Sequence, residues 1–497
     1  MKPVKFLASI PHNAYQAEDV QKNEGKIAAL ANLSLYQLME AAGVAAFQLL
    51  RTQWPDSKTI LVVCGKGNNA GDGFIVARLA LEQGMHVYLH NLANIDDYQG
   101  DAKLACTKYL EAGGNLHNLD EIDLTKVELI VDGLLGTGLS GQVRDNYQTV
   151  IELFNSLKKP ILSLDIPSGL CANTGQVLGC SIKADITITF VAVKQGLLTG
   201  VASDYCGEIY VSGLGIGTSF SKNIPSSVTV NSQHSLKKLT SRRQSAHKGN
   251  SGFVLVVGGN QGMPGAAKLS AEACLRSGAG LVAVMCYHTN EVIILANRPE
   301  LMLLSFENDS IDNQQKIAKA NVVVLGPGLG CDIWAENNFQ QTLALNKPMV
   351  IDADGLNLLA KKPQYRDNWV LTPHPGEAAK LLNCSVANIE QDRFESARAI
   401  ALKYGGICVL KGAGTLISDG ERIAINITGN PGMAVGGMGD VLSGIIGALI
   451  LQSSNIFQAA KYGVYLHGLA ADMAIIDGQK GLLASDLFPY IRQLVNE

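Results

Sequence analysis

The sequence predicts an α/β protein built as two three-layer αβα domains. Two observations predict it. Short β-branched runs recur through both halves, each ending in a Gly- or Asp-rich turn that leads into a stretch of helical spacing. A polar segment near the middle separates one such series from the next. Strand, turn and helix in alternation build parallel sheets with helices on both faces. The 497 residues suffice for two or three full-sized cores.

In the first half, Leu38, Ala42, Ala45 and Leu49 recur at helical spacing within residues 33–50. Residues 59–63 read as a buried strand. They run into the loop Gly65-Lys66-Gly67-Asn68-Asn69-Ala70-Gly71-Asp72-Gly73, and a helix is expected over about 74–83. This spacing is not the GxGxxG of dehydrogenases, and adjacent Asn68 and Asn69 suit ligand contact as well as tight turns. Further strands are expected at 86–89, 127–131, 160–164 and 187–191. The second of these ends in Asp132 and a flexible glycine-rich loop, 133–142. The third ends in Asp165-Ile166-Pro167-Ser168-Gly169. Each aspartate alone is most often a cap or turn residue. Parallel sheets collect ligands at the carboxyl ends of their strands, so Asp72, Asp132 and Asp165 would share one rim.

Residues 216–245 turn polar and irregular, which marks a domain boundary. Beyond it, strands are expected at 252–257, 322–325, 349–351, 369–371 and 407–410, with a helix over 265–277. The later strands deliver Gly326-Pro327-Gly328, Asp352-Ala353-Asp354-Gly355, Thr372-Pro373-His374-Pro375-Gly376-Glu377 and Lys411-Gly412-Ala413-Gly414-Thr415 to one rim. Core packing alone does not ask for that pattern. A lysine just before Gly-Ala-Gly at a strand end suits a phosphate.

The most specific stretch is 430–444, reading NPGMAVGGMGDVLSG, in which five of fifteen residues are glycine. Val441, Ile445 and Leu449 follow at helical spacing. A glycine-rich turn opening a helix leaves backbone N–H groups unpaired and adds the positive end of the helix dipole, which suits a phosphate or a developing oxyanion. Asp440 would stand at the edge of that hole, placed to accept a proton from a hydroxyl; the plainer reading is a helix cap.

Composition narrows the classes. Net charge is −4 with no basic face, so nothing argues for nucleic acid; the densest basic run, Lys237-Lys238 with Arg242-Arg243, lies in the polar join. Ten cysteines without a CxxC pair or zinc spacing read as reduced thiols. Without a leader-like apolar region or a membrane-length run, the expected location is the cytoplasm, with no membrane partner.

GNNAGDG, VDGLLGTGLSG and DIPSG, over about residues 10–220, resemble the Rossmann-like epimerase domain of bifunctional NAD(P)H-hydrate repair enzymes; Ala70 stands where that family usually has glycine. The resemblance implies hydrate binding by Asn68, Asn69, Ala70, Gly71 and Asp72. The same role falls to Gly136, Thr137, Gly138, Leu139, Ser140, Gly141 and Gln142. It implies catalysis and substrate contact by Asp165 and potassium on Asn69, Asp132 and Ser168, hard oxygen donors that suit a hard cation. HKGNSG, GGNQGMPGAA, GPGLG, DADGLNLL, TPHPGE, KGAGT and NPGMAVGGMGDVLSG, over about 240–495, resemble the ribokinase-like ADP/ATP-dependent NAD(P)H-hydrate dehydratase. This implies nucleotide on Lys411, Gly412, Ala413, Gly414, Thr415, Asn430, Gly436, Gly437, Met438 and Gly439. It implies hydrate on Ala266, Gly328, His374 and Asp440, with Asp440 catalytic.

The expected domains are 1–225 and 235–497. The expected partners are the hydrates of NADH and NADPH, ADP or ATP with Mg2+, and further copies of the chain in a homo-oligomer, a tetramer by resemblance. The nucleotide phosphates and Asp440 would act together on the leaving hydroxyl, by acid–base contact with ADP or by transient phosphoryl transfer from ATP. Two alternatives stand beside this reading: a ribokinase-like small-molecule kinase with an accessory binding domain, and a non-enzymatic binding protein.

Overall fold

The computed structural model describes residues 5–6, 13–232, 239–308 and 310–496. The chain divides into two compact units, Lys2–Val228 and Thr229–Glu497. Lys237 and Lys238 of the basic run lie outside the described residues.

The first unit holds a parallel sheet. Its strands lie in the order Lys5–Phe6, Glu208–Ser212, Ile186–Phe190, Ile161–Leu164, Leu129–Gly133, Thr59–Cys64 and His86–Asn91. Central strands such as Leu129–Gly133 are buried throughout, as strands covered on both faces must be. Chain order reverses between Thr59–Cys64 and Leu129–Gly133, so the crevice beyond their carboxyl ends is the switch point where such sheets take ligands.

The expected loop at 68–73 is a helix instead: Asn68–Glu82 begins right after Gly67, whose extended backbone precedes the first turn. Its glycines serve contact rather than loop geometry. A Cβ on Gly71 would lie 2.6 Å from Met39 Sδ, and one on Gly73 2.9 Å from Cys64 Sγ. Glycine therefore lets this helix sit directly on the strand Thr59–Cys64 and on the helix Leu35–Gln53.

In the second unit the parallel strands run Met302–Leu303, Leu281–Met285, Phe253–Val257, Val322–Leu325, Met349–Ile351, Trp369–Leu371 and Ile407–Leu410. Leu416–Ser418 and Ile423–Asn426 then pair antiparallel. Order reverses between Phe253–Val257 and Val322–Leu325. Two helices, Pro264–Arg276 and Met438–Ile450, pack side by side with their N-termini at the same end. Leu269 meets Gly437, Ser270 Oγ lies 3.1 Å from Ser443 Oγ, and a Cβ on Gly444 would fall 2.1 Å from the Ser270 carbonyl oxygen. Val441, Ile445 and Leu449 are fully buried, as their spacing predicts.

The stretch 216–245 is not irregular throughout: it contains the helix Gly217–Asn223 and the strand Val228–Asn231. Burial of Phe220 and Val230 accounts for that order. All ten cysteines are free thiols, and no single described helix is long and apolar enough to cross a membrane.

Candidate active sites

A cavity of about 560 Å³ opens at the switch point of the first unit. Of the sequence-predicted residues, Asn68, Asn69, Asp72, Gly136, Thr137, Gly138, Leu139, Ser140, Gln142 and Asp165 line it. Ala70 is fully buried and Gly71 touches Met39, so these two serve packing. Gly141 takes a left-handed turn, φ 75°.

Asp165 follows the strand Ile161–Leu164 with φ 60°, a conformation a non-glycine residue holds only when its surroundings impose it. Val191 (φ 65°) and Leu214 (φ 49°), on the same cavity wall, share that strain. One oxygen of Asp165, Oδ1, accepts from Lys194 Nζ at 2.5 Å, from Thr189 Oγ1 at 3.1 Å and from the Phe190 N–H at 3.2 Å. Lys194 is buried, and its ammonium also donates to Thr189 Oγ1 and the Phe190 carbonyl. Its three donors are thus occupied by Asp165 Oδ1, Thr189 Oγ1 and the Phe190 carbonyl. Two more carboxyls face this pair. Burial pushes Asp72 well up, with Asp165 and Glu24 adding to it; burial likewise raises Glu24 against the pull of Lys194.

Beneath the cavity lies a polar cluster. Asp132 is buried and accepts four hydrogen bonds: from Ser163 Oγ, from Ser168 N–H and Oγ, and from Leu134 N–H. Burial raises its carboxyl despite these donors. Ser168 Oγ also meets the Leu135 backbone, whose carbonyl accepts from Asn69 Nδ2 at 3.1 Å. Asn69 Oδ1 is buried with no hydrogen-bond partner among the described residues. An orphaned buried oxygen beside a backbone carbonyl, a serine hydroxyl and a carboxylate fits a monovalent cation. Of the proposed set, Asn69 keeps a free lone pair, while Asp132 has spent its four acceptor positions on the protein.

In the second unit, the Met438–Ile450 helix opens after Gly437 (φ 90°). A Cβ on Gly439 would lie 3.2 Å from Lys411 Nζ and 3.6 Å from Asp352 Oδ2, so the helix start, the lysine and that aspartate meet. Lys411 donates to Asp352 Oδ1 at 2.8 Å and stands 3.8 Å from Glu377. Burial opposes its charge, but Asp352 and Glu377 hold its pKa above the ordinary value. Asp440 is half-buried. Burial first, then the neighbouring Asp352, push its carboxyl up to about 7 against the pull of Lys411. His374 caps the helix Pro375–Leu382, its Nδ1 accepting from the Gly376 N–H at 3.0 Å; burial and then Lys411 depress its pKa, so the ring stays neutral.

Gly328 (φ 59°) faces Ala266: a Cβ there would lie 3.1 Å from the Ala266 methyl. These two predicted residues meet at the other helix N-terminus, Pro264–Arg276. Lys411 to Thr415 form the turn between the antiparallel strands, closed by a Thr415 Oγ1–H bond to the Gly412 carbonyl at 2.9 Å. Ala413 and Gly414 (φ 61°) lie within it. Asn430 is less available than the sequence suggests. Its amide donates to Asp472 at 2.9 Å and its oxygen accepts from the Gly432 N–H, so the side chain shapes the turn. Gly436 is open, and Met438 is buried in the first helical turn.

Sequence reasoning missed Glu24, Lys194, Arg144 and Tyr147 on the first cavity and Arg393, His467 and Asp472 around the second site. Arg393 is 1% exposed and donates to the Lys411 carbonyl at 3.1 Å from behind Gly412. Its helix, Arg393–Tyr404, carries Glu395, Arg398 and Lys403 as well, so nothing local marks this one arginine as buried.

Residues 35–196 match the family described as YjeF-related protein N-terminus, and residues 254–493 the family described as NAD(P)H-hydrate dehydratase. The chain is 45% identical over 494 residues to the bifunctional NAD(P)H-hydrate repair enzyme of Escherichia coli, covering 99% of this chain and 96% of that one. It is 43% identical over 485 residues to the enzyme of the same name from Coxiella burnetii, covering 97% and 99%. Among solved structures, a ribokinase-like superfamily protein from Enterococcus faecalis aligns with a TM-score of 0.51 at 30% identity, covering 55% of this chain and 96% of that one.

Proposed function

The chain belongs to the family of bifunctional NAD(P)H-hydrate repair enzymes, and from that premise we propose how its residues divide the work. Residues 1–225 epimerise the R and S hydrates of NADH and NADPH. Residues 235–497 return the S hydrate to NAD(P)H with ADP or ATP as co-substrate.

The observation that carries the second assignment is Asp440, raised to about 7 at a helix N-terminus beside the Lys411–Asp352 pair. A hydrate of a dihydropyridine holds water across a ring double bond. Its hydroxyl is a poor leaving group until it is protonated or phosphorylated. In the proposed sequence, Asp440 takes the hydroxyl proton as the nucleotide's terminal phosphoryl group moves onto that oxygen. The C–O bond then breaks with inorganic phosphate leaving, pushed by the ring nitrogen lone pair. Loss of a proton from the neighbouring carbon restores the double bond. The N–H groups at Gly436 to Gly439 and the Lys411 ammonium take the phosphate charge. Mg2+ would enter on the nucleotide phosphates, as it commonly does.

In the first unit Asp165 is proposed to move a proton beside the hydroxyl-bearing carbon that is inverted, by reversible loss and re-addition of water or by ring opening, with the 68–72 and 136–142 segments holding the hydrate. A potassium ion on Asn69, with Ser168 and Asp132 close by, would supply a counter-charge for the substrate phosphates. A cytoplasmic homo-oligomer, a tetramer by family resemblance, completes the reading; light scattering tests the assembly.

The deciding experiment incubates purified protein with mixed hydrate epimers, with and without ADP, following nicotinamide absorbance and released AMP and phosphate. One AMP and one phosphate per NAD(P)H are expected. Restoration without nucleotide consumption would leave acid–base contact by ADP as the mechanism. Restoration without any nucleotide would remove the co-substrate from the reading.

A further inference from the structure

The helix Ile456–Ala474 carries chemistry that the proposed reaction does not use. Asp472 Oδ2 accepts the Gly429 N–H at 2.9 Å and Oδ1 accepts Asn430 Nδ2–H at 2.9 Å. The Asn430 oxygen in turn accepts the Gly432 N–H at 3.0 Å. One turn earlier, Thr428 Oγ1 donates to the Tyr465 carbonyl at 3.1 Å, and a Cβ on Gly468 would lie 2.3 Å from that hydroxyl. His467, beside Gly468 in the same helix, is 6% exposed, and its Nε2 has no hydrogen-bond partner among the described residues. Residues 428–432 are therefore fixed to this helix by close approach and by paired hydrogen bonds. Further along the turn, space opens at Gly436, where a Cβ would meet nothing within 4 Å.

We propose that Asp472 is a positioning residue of the nucleotide site. Its carboxylate fixes Gly429 and Asn430, so that the glycine-rich turn presents its N–H groups to the phosphates of a nucleoside di- or triphosphate. This rests on the reading that 430–439 binds nucleotide. The chemistry requires a carboxylate. Two N–H donors converge on residue 472, and only an ionised carboxyl accepts both without turning a donor of its own on one of them. Asn430 cannot rotate to compensate, because its oxygen would then leave the Gly432 N–H unpaired.

The test uses full-length enzyme. Asp472→Asn faces an amide against one of the donors. The KM for ADP is expected to rise about tenfold, the effect of one unpaired, partly buried donor. Turnover at saturating ADP and epimer exchange should stay near wild type, because the residue touches no reacting atom. The exchanged pair Asp472→Asn with Asn430→Asp restores all three hydrogen bonds at the same net charge, and is expected to recover most of the ADP affinity. An unchanged KM in the single variant overturns the proposal, as does a loss confined to kcat. If the single variant does not fold, the exchanged pair decides: wild-type-like KM upholds the assignment, and a folded but weakly binding pair overturns it. Wild-type protein that turns over without nucleotide would instead sink the nucleotide reading itself.

Discussion

Asp165 and Asp440 occupy comparable addresses in the two units and are treated in opposite ways. Asp165 takes a left-handed backbone conformation and is ion-paired with buried Lys194, with three donors on a single oxygen. Asp440 lies in the first turn of a helix, and its nearest cation, Lys411, is already shared between Asp352 and Glu377. The first carboxylate is thus aimed and countered. The second is raised to about 7 by burial first and then by the like charge of Asp352. The difference teaches that one chain uses strain plus a dedicated cation to orient a carboxylate, and burial plus competing carboxylates to tune one.

Asp440→Asn breaks the comparison hardest. It removes a positioned acid–base group, so dehydration should fall by about 10²–10⁴-fold while ADP binding and epimer exchange persist. In the wild type, a base with a pKa of about 7 makes the dehydration rate climb as pH rises through 7. A flat pH profile together with near-normal turnover by the variant would remove Asp440 from the chemistry.

Asp165→Ala tests the other side. Interconversion of the hydrates, read by chromatography, should fall by about 10²–10⁴-fold with substrate binding retained. Because the substitution leaves Lys194 buried without its carboxylate, Asp165→Asn serves as the control for folding. Normal epimer exchange in both variants would place the proton transfer elsewhere, with Glu24, Asp72 and Asp101 as the remaining carboxyls on that cavity.

The next effect is smaller and concerns the cation. Replacing Asp132 would strip four donors of their acceptor and disturb the fold, so it reports poorly on potassium. Asn69→Ala removes the orphaned oxygen of this cluster. It should weaken potassium activation of epimer exchange by about tenfold or more, with dehydration unchanged. An unaltered potassium response would move the ion off Asn69.

Much of this arrangement was legible in the sequence because the strands are continuous apolar runs, buried on both faces, and their turns carry the polar groups. The strand at 322–325 was legible to the residue for that reason. The segment 68–73 was misread because glycine density signals a loop, whereas here it permits close contact with Met39 and Cys64. Lys194 and Glu24 reach the first site from elements distant in sequence, and no local pattern announces a contact such as Lys194–Asp165. For His467 and Asp472 a signal existed: two polar residues five apart in an alanine-rich apolar helix.

The smallest expected effect tests the crowding of Asp440 through stability rather than rate. Its carboxyl titrates at 3.8 in an unperturbed chain and at about 7 in the fold. The folded state therefore keeps a proton that the unfolded state has already released between these values. In that interval the folded state binds more protons, so rising pH favours unfolding. The stabilising contribution is complete below about pH 4 and lost above about pH 7. Asn at 440 keeps the shape and does not titrate. The variant should unfold a few °C above wild type at pH 8, and the two should converge near pH 4–5. Lost attraction to Lys411 offsets part of the gain, but that ammonium retains Asp352 and Glu377. Thermal unfolding followed across this pH range decides it: parallel curves, separated equally at pH 4 and pH 8, would mean that Asp440 is not raised by burial and its carboxylate neighbours, and the contrast with Asp165 would lose its electrostatic half.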